Sequence, residues 1–169
     1  IRAGMLDEAL NIVVGLWSGE PFGYDGEHYQ VAETQFLPRP IQQPRIPIWI
    51  AGHWNGKNKA AFRRAARWDG VFGLMRGQGQ SPVEQFREMV AYVVQHRTSD
   101  APFEIVYQGS ATPGDDAARG AEIVAPFAEA GATWWLETIS PARWGDDVDW
   151  QSEWNADALH ERVCQPPPG

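Results

Sequence analysis

The chain has 169 residues, of which 43% are hydrophobic and 21% charged, a composition typical of a globular protein with its own core. Its formal net charge of −8 argues against nucleic acid as a partner, because a phosphate backbone attracts a basic surface. A single cysteine, Cys164, excludes an internal disulfide and a zinc site built from several cysteines. No run approaches the roughly 18 apolar residues of a membrane helix, and no signal peptide opens the chain. We therefore expect a cytoplasmic protein without a membrane partner.

The first predicted element is a helix within residues 1–19. Apolar side chains recur with helical spacing over residues 5–17, and Gly19 suits the position just after a helix end. The chain begins with Ile1 inside this pattern rather than with methionine. We therefore expect a fragment, in which residues 1–169 form a single partial domain of a longer protein.

Residues 20–45 are expected to form an insertion made of a hairpin and a proline-rich stretch. Asp25-Gly26 is a strong turn pair and predicts a β-hairpin over residues 22–31. Four prolines follow within ten residues, which forbids a helix and favours an extended chain. They are Pro38, Pro40, Pro44 and Pro47.

The next stretch predicts a βαβ unit with parallel pairing. It has an apolar run at residues 46–51, a glycine-bearing turn at 52–56, a helical segment at about 59–67 and a second apolar run at 71–74. Free N–H groups and the dipole at the start of such a helix favour an anion. A phosphate-bearing ligand is therefore expected at this turn.

Four such units are predicted within residues 46–140, followed by a tail with one more helix over residues 141–169. The strands begin near residues 46, 70, 103 and 133. This repeat is what (β/α) units require, and four units make half of an eight-stranded barrel. A doubly wound open sheet is the competing architecture, which periodicity does not exclude. A half barrel has two bare edges, so either further units precede the chain or two copies close on each other as a homo-oligomer.

Three features near the ends of the predicted units have more than one interpretation. Trp134 and Trp135 occupy adjacent strand positions, so one is expected to enter the barrel and the other to pack under a helix. Glu137 ends the last strand, where barrel enzymes place functional groups. Three further tryptophans are expected to pack the tail, or else to form an aromatic wall for a substrate. They are Trp144, Trp150 and Trp154.

A dense basic cluster stands out in this acidic chain. It could draw in an anionic cofactor, although the favoured interpretation is a solvated helix face in which Arg64 or Arg67 pairs with an acid such as Asp69. Asp69, which follows it, is expected to shape the entry to the next strand rather than to act as an acid or base. The cluster consists of Lys57, Lys59, Arg63, Arg64 and Arg67.

Six short motifs occur in an order and spacing that together are specific. They are Leu16-Trp17-Ser18-Gly19-Glu20-Pro21, Gly26-Glu27-His28-Tyr29, Leu37-Pro38-Arg39-Pro40-Ile41-Gln42-Gln43-Pro44, Ile46-Pro47-Ile48-Trp49-Ile50-Ala51-Gly52, Arg63-Arg64-Ala65-Ala66-Arg67-Trp68-Asp69-Gly70 and Ala130-Gly131-Ala132-Thr133-Trp134-Trp135.

Through these motifs the chain resembles the C-terminal half of the luciferase-like monooxygenase family, which are flavin- or deazaflavin-dependent (β/α)8 enzymes. The resemblance implies an α/β fold that is the C-terminal half of a TIM-type barrel, with four parallel strands, their helices and a β-hairpin insertion. The matched strands would be the fifth to the eighth. Most catalytic side chains of the family lie on the first four, so no catalytic residue is assigned here and we expect this fragment alone to be inactive.

The resemblance also implies a cofactor site after the first of these strands, where the family holds the phosphate of its cofactor. Many members have a second glycine or serines where this chain has His53-Trp54, which shifts the expected contacts to backbone amides and the imidazole. The alternative for His53 is a loop histidine bonded to a nearby carbonyl. The predicted cofactor-binding residues are Ala51, Gly52, His53, Asn55 and Gly56.

The function implied by the resemblance is that of a flavin-dependent oxidoreductase acting on a small organic substrate. With FMN and oxygen the reaction would be a monooxygenation, with a flavin reductase as a partner. With 8-hydroxy-5-deazaflavin (coenzyme F420) it would be a hydride transfer. A non-catalytic half-barrel interaction module is the alternative of another class. The sequence has no P-loop, Ser/His/Asp set or metal-ligand cluster, so no metal is expected.

Overall fold

The computed structural model describes residues 1–75, 79–109, 116–139 and 153–165. The chain divides into two compact units, Ile1–Pro47 and Ile48–Gly169. The division falls close to the start of the first predicted βα unit. That both units belong to a single partial domain stays a prediction.

The first unit contains helix α1 (Arg2–Trp17) and a hairpin of strands β1 (Phe22–Asp25) and β2 (Gln30–Thr34). The helix ends as expected, because Gly19 adopts a left-handed backbone with φ +75° and its N–H donates to the carbonyl of Leu16 at 3.3 Å. The predicted helix and hairpin are therefore confirmed.

The hairpin turn is wider than the predicted Asp25-Gly26 pair. Asp25 pairs with Gln30 across the strands, and the Gly26 N–H donates to the Tyr29 carbonyl at 2.9 Å. The reason is Glu8 on α1, whose carboxylate accepts the backbone N–H groups of three successive turn residues at 3.0–3.2 Å. They are Glu27, His28 and Tyr29. A four-residue turn presents these groups together, whereas a two-residue turn would not.

The second unit alternates strands and helices, as predicted. Its four strands form one parallel sheet in the sequential order β3-β4-β5-β6. The elements are β3 (Trp49–Trp54), α2 (Ala60–Ala65), β4 (Gly70–Met75), α3 (Pro82–His96), β5 (Glu104–Gly109), α4 (Ala117–Glu129), β6 (Trp134–Glu137) and α5 (Ala156–Cys164).

The core of this unit lies between one face of the sheet and the helices. One row across the sheet, in register, faces the helices on every strand; its members are Gly52, Gly73, Tyr107 and Trp135. Phe127 of α4 stacks on Tyr107 with 3.9 Å between ring centroids, and Phe86 of α3 meets the same ring edge to face at 5.2 Å. A doubly wound sheet carries helices on both faces, so the described residues fit part of a luciferase-like barrel instead, and their four strands do not close it.

We call the opposite face of the sheet the inner face. It carries the alternate residues of each strand. Its side chains are those of Trp49, Ala51, His53, Phe72, Leu74, Glu104, Val106, Gln108, Trp134 and Leu136. Trp134 lies 5.7 Å from Trp49 on this face, whereas Trp135 lies 5.5 Å from Phe127 on the other. The predicted opposite directions of the two tryptophans are confirmed, while Trp144 and Trp150 lie outside the described residues.

Strand β3 lies three residues later than predicted, so the predicted start of the turn at Gly52 is wrong. Pro47 has no N–H for a strand ladder, and the N–H of Ile48 donates to the Asp69 carboxylate at 2.7 Å. Gly52 continues in the strand, paired with Gly73. A Cβ at Gly52 would lie 2.9 Å from the Cβ of Ala61, so glycine here lets α2 pack on the strand.

Asp69 shapes the entry to β4, as predicted. In addition to its carboxylate contact, its backbone N–H donates to the Ile48 carbonyl at 3.1 Å, and its carbonyl accepts from Glu104 at 2.8 Å. Asp69 therefore ties the amino ends of three neighbouring strands together.

Candidate functional site

The carboxyl ends of the four parallel strands meet at one edge of the sheet, where enzymes of barrel and open α/β folds place their sites. The last inner-face residues of the strands are His53 on β3, Leu74 on β4, Gln108 on β5 and Leu136 on β6. They combine two apolar side chains with an imidazole and an amide. This arrangement suits an organic ligand with an apolar body and a few polar atoms.

The structure separates the five predicted cofactor residues into three groups. Ala51 and His53 lie two residues apart on the inner face, and both are exposed. Gly52 lies between them but faces α2. Asn55 and Gly56 belong to the turn that follows the strand. Of the three residues within β3, Ala51 and His53 therefore share a surface with the inner-face ends of the other strands, and Gly52 does not.

The turn after β3 is held by its own asparagines. The Asn55 Oδ1 accepts the backbone N–H groups of Lys57 and Asn58, both at 3.0 Å, while the Asn58 Oδ1 accepts from Ala60 at 3.4 Å. Gly56 makes the reversal with φ +72° and has open space where a Cβ would stand. Two amides expected to face an anion are thus already bonded, and α2 has only six residues. Phosphate binding here stays a prediction.

The basic cluster is partly used for packing. The Lys59 ammonium lies 4.6 Å from the ring centre of Tyr92 and 5.4 Å from that of Trp54, as cation–π contacts on the helix side of the sheet. Arg64 is buried at 8% exposure. Arg64 is thus not part of a solvated helix face, whereas Arg63 and Arg67 are exposed as that interpretation expects, and the pairing of Arg64 or Arg67 with an acid stays a prediction.

Glu137, which was a candidate functional group at the end of β6, faces α5 instead of the inner face. Its carboxylate accepts from the Arg162 Nε at 3.0 Å and pairs with the same guanidinium through a second nitrogen. Both side chains are about a tenth exposed. A bidentate pair of this kind anchors the helix. The partner follows 25 residues later, so local spacing gave no sign of it.

Two polar residues at the carboxyl edge escaped the sequence analysis. They are Gln108, near the end of β5, and Thr138, directly after β6. In the structure the Gln108 Nε2 donates to the Thr138 Oγ1 at 2.9 Å. The available signal was strand alternation, which puts Gln108 on the face opposite Tyr107.

Tyr107 itself is not a proton donor for this edge. Burial raises the pKa of the Tyr107 phenol, which lies among aromatic rings on the helix side. The group therefore stays neutral and serves packing.

Within the described ranges, no group of three or more His, Cys, Asp or Glu side chains is arranged to hold a metal ion. In the same part of the chain, no helix combines the length and apolarity that crossing a bilayer requires.

Two uncharacterized mycobacterial proteins, from Mycobacterium tuberculosis and Mycobacterium bovis, are each 37% identical to the chain over 107 residues. Each match covers 62% of this chain and 33% of the relative. The oxygenase component of a flavin-dependent trigonelline monooxygenase from Acinetobacter baylyi is 39% identical over 46 residues, covering 27% of this chain and 12% of that protein. The matches thus span a third or less of the curated relatives.

The sequence model of luciferase-like monooxygenases matches residues 2–163, which is nearly the whole chain. The parallel sheet with helices on one face is the arrangement expected for part of such a barrel. The chain therefore belongs to the luciferase-like monooxygenase family.

Proposed function

We propose that this chain forms one side of the cofactor and substrate site of a flavin-dependent monooxygenase, which acts on a small organic substrate with reduced FMN and oxygen. The observation that carries the proposal is the carboxyl edge of the inner face, a surface that combines apolar Leu74 and Leu136 with polar groups that include His53 and Gln108. Reduced flavin, when bound, supplies the electrons that oxygen accepts. The chain's own residues bind and orient the cofactor and the substrate and shield them from water.

The inner face suits the ring system of such a cofactor. Ala51 is small and exposed, so a planar ring can approach β3 closely. Phe72 lies beside Ala51 on β4, and Leu74 lies two residues further along the same strand. Both offer apolar contacts that exclude water. His53 supplies an imidazole nitrogen at the polar edge of the ring or at the phosphate. Gly52 contributes indirectly, since it lets α2 brace the strand.

The turn after β3 is proposed to receive the phosphate. Gly56 leaves open space beside the backbone, and Asn55 holds the turn in a fixed shape. Lys57, exposed in the same turn, adds positive charge. A preformed turn of this kind costs little ordering entropy on binding.

A separate flavin reductase is the proposed partner. The Acinetobacter relative is named as an oxygenase component, which implies that another component belongs to that system. We extend this division of labour, a cytoplasmic location and the capacity to form homo-oligomers to the present protein as parts of the same proposal.

A titration of the purified chain with FMN and, separately, with coenzyme F420, followed by cofactor fluorescence, tests the proposal. We expect saturable FMN binding. His53→Ala and Ala51→Leu should each weaken it about tenfold, through a lost polar contact and a blocked approach, respectively. The matched control is His160→Ala, an exposed histidine on α5, which should change the dissociation constant less than twofold.

Preference for F420 would replace the monooxygenase by the deazaflavin-dependent hydride-transfer alternative. Binding of neither cofactor by a chain with a native circular dichroism spectrum would contradict the proposal. That result would favour the non-catalytic interaction module.

A further inference from the structure

The carboxyl edge of the inner face carries a polar pair that neither the packing of the core nor the proposed cofactor contacts use. The Gln108 Nε2 donates to the Thr138 Oγ1 at 2.9 Å. The Thr138 backbone is fixed as well, because its N–H donates to the Gly109 carbonyl at 3.1 Å. We call Gln108 and Thr138 the edge pair.

The position of the edge pair differs from that of its charged neighbour. Glu137, one residue before Thr138, points to the helices and is neutralised by Arg162. Strand alternation puts Thr138 on the side of Leu136, and Gln108 is exposed there. The pair therefore stands on the same face as His53, and its nearer member, Gln108, is two strands away from His53, or about 10 Å across the sheet.

The edge pair retains hydrogen-bonding capacity. The hydroxyl of Thr138 accepts from Gln108, so its own O–H points elsewhere, and in the described residues it has no acceptor. The second N–H of the Gln108 amide is likewise without a recorded acceptor among the described residues. Two neutral donors side by side, with apolar Leu136 next to them, match one oxygen acceptor.

We propose that the edge pair selects substrates that carry a carbonyl or carboxylate oxygen, with the Thr138 hydroxyl and the Gln108 amide as its two donors. This inference rests on the proposed function, because it places the substrate beside the cofactor on the inner face. The mutual hydrogen bond aligns both donors before the ligand arrives, so little rotamer freedom is lost on binding. A ligand without the oxygen displaces water from the two donors without replacing its hydrogen bonds, and therefore binds more weakly.

The test compares three probes of similar shape, titrated by ligand-observed NMR with and without saturating FMN. Benzoate and acetophenone carry the acceptor, and ethylbenzene lacks it. We expect the two acceptor probes to bind about tenfold more tightly than ethylbenzene. Gln108→Leu and Thr138→Val should abolish this preference.

Three further variants separate recognition from folding. Thr138→Ser keeps the hydroxyl and should keep the preference. Gln108→Glu replaces a donor by a negative charge and should weaken benzoate several-fold more than acetophenone, which a purely structural role would not do. The matched control is Gln30→Leu, since Gln30 is another exposed strand glutamine with a side-chain hydrogen bond, to Asp25 at 3.1 Å.

Each outcome decides between the two claims. The proposal for the edge pair is overturned, even when FMN binds, by either of two results. One is an unchanged preference for the acceptor probes in Gln108→Leu and Thr138→Val, and the other is no such preference in the unmodified chain. If the chain does not bind FMN but shows a probe preference that the edge-pair variants remove, the proposed function is overturned and recognition of the acceptor oxygen is supported. If the chain neither binds FMN nor distinguishes the probes, both the proposed function and the proposal for the edge pair are overturned.

Discussion

At the scale of single residues, Glu8 shows how one side chain determines the form of a turn. Its carboxylate receives N–H groups from three consecutive residues of the hairpin turn. Carboxylate bonds to backbone amides are among the stronger hydrogen bonds in proteins. A sequence pattern shows the turn pair Asp25-Gly26 but not the carboxylate that binds the turn from another element.

We expect Glu8→Ala to loosen this turn. The loss of a half-buried, charge-assisted contact should lower the free energy of unfolding of the first unit by about 1–2 kcal/mol. Urea denaturation measures the change, and hydrogen exchange should accelerate at residues 27–29 specifically. Glu20→Ala is the control, because Glu20 is exposed and takes no part in the contact between Glu8 and the turn. Unchanged protection of these three amides would show that Glu8 does not hold the turn in solution.

In the second unit, Glu84 is another carboxylate that accepts a backbone N–H, and its contribution to stability depends on pH. In the capping box of α3, the backbone N–H of Ser81 and then its hydroxyl donate to the carboxylate, at 3.0 Å each, and these bonds lower the pKa of Glu84 from its ordinary 4.5. A pKa that is lower in the folded state contributes stability above the unfolded pKa, and this stability is lost as the pH falls through the folded pKa.

Glu84→Gln keeps an acceptor for the capping box but cannot titrate. We therefore expect the unmodified chain to lose stability more steeply than the variant as the pH falls below about 4.5. Urea denaturation at several pH values between about 3 and 7 gives both slopes. Parallel losses of stability would mean that the carboxylate of Glu84 does not contribute.

At the scale of elements, the packing of α2 on β3 depends on the absence of a side chain. Gly52 looked like a turn residue and a site of close ligand approach. In the structure the Phe62 ring lies 3.3 Å from where a Cβ of residue 52 would stand, and the Ala61 Cβ is closer still. The sequence shows a glycine in either case, and only the tertiary contact distinguishes the two reasons for it.

Gly52→Ala should therefore destabilise the chain by about 1–3 kcal/mol through overpacking. Ala61→Gly in the same chain should recover part of this loss, since it removes the methyl group in the way, with a coupling energy above about 0.5 kcal/mol in urea denaturation. The control is Gly56→Ala, which should cost about 1 kcal/mol because its φ is +72°. Ala61→Gly should not rescue that control. Strict additivity at Gly52 would contradict the packing explanation.

At the scale of the whole molecule, the main feature is an inner face with exposed apolar side chains. Trp49 is 37% exposed, Trp134 48% and Leu136 37%, whereas Trp54, on the helix side, is 2% exposed. Exposed apolar surface of this kind marks a binding surface for a ligand or for another part of a protein. In the proposed function this surface receives the cofactor.

Leu136→Gln should test whether the inner face is exposed in solution. Because Leu136 is only partly covered, we expect the free energy of unfolding to change by less than about 0.5 kcal/mol. Binding of the dye anilinonaphthalene sulfonate should decrease, as fluorescence would show. Val106→Gln, at a fully buried inner-face position, should by contrast cost several kcal/mol. A large destabilisation by Leu136→Gln would mean that the inner face is covered in solution.

Much of the fold could be predicted because it follows from local chemistry. Apolar periodicity located all four strands of the sheet, and Gly19 located the end of α1. Adjacent Trp134 and Trp135 had to face opposite ways because a strand repeats every two residues. The start of β3 was predicted three residues too early because the N–H of Ile48 donates to the carboxylate of Asp69, 21 positions later, and not to a neighbouring strand.

The sequence by itself determined the alternation of strands and helices, the parallel pairing and the family resemblance, since these depend on residue order and short spacings. Only the tertiary structure decided which residues share a surface. It turned Gly52 and Glu137 to the helix side, kept Ala51 and His53 on the inner face, and brought Gln108 next to Thr138, 30 positions later. The physical reason is that strand register and helix packing set the direction of a side chain, and both depend on contacts between residues far apart in the chain.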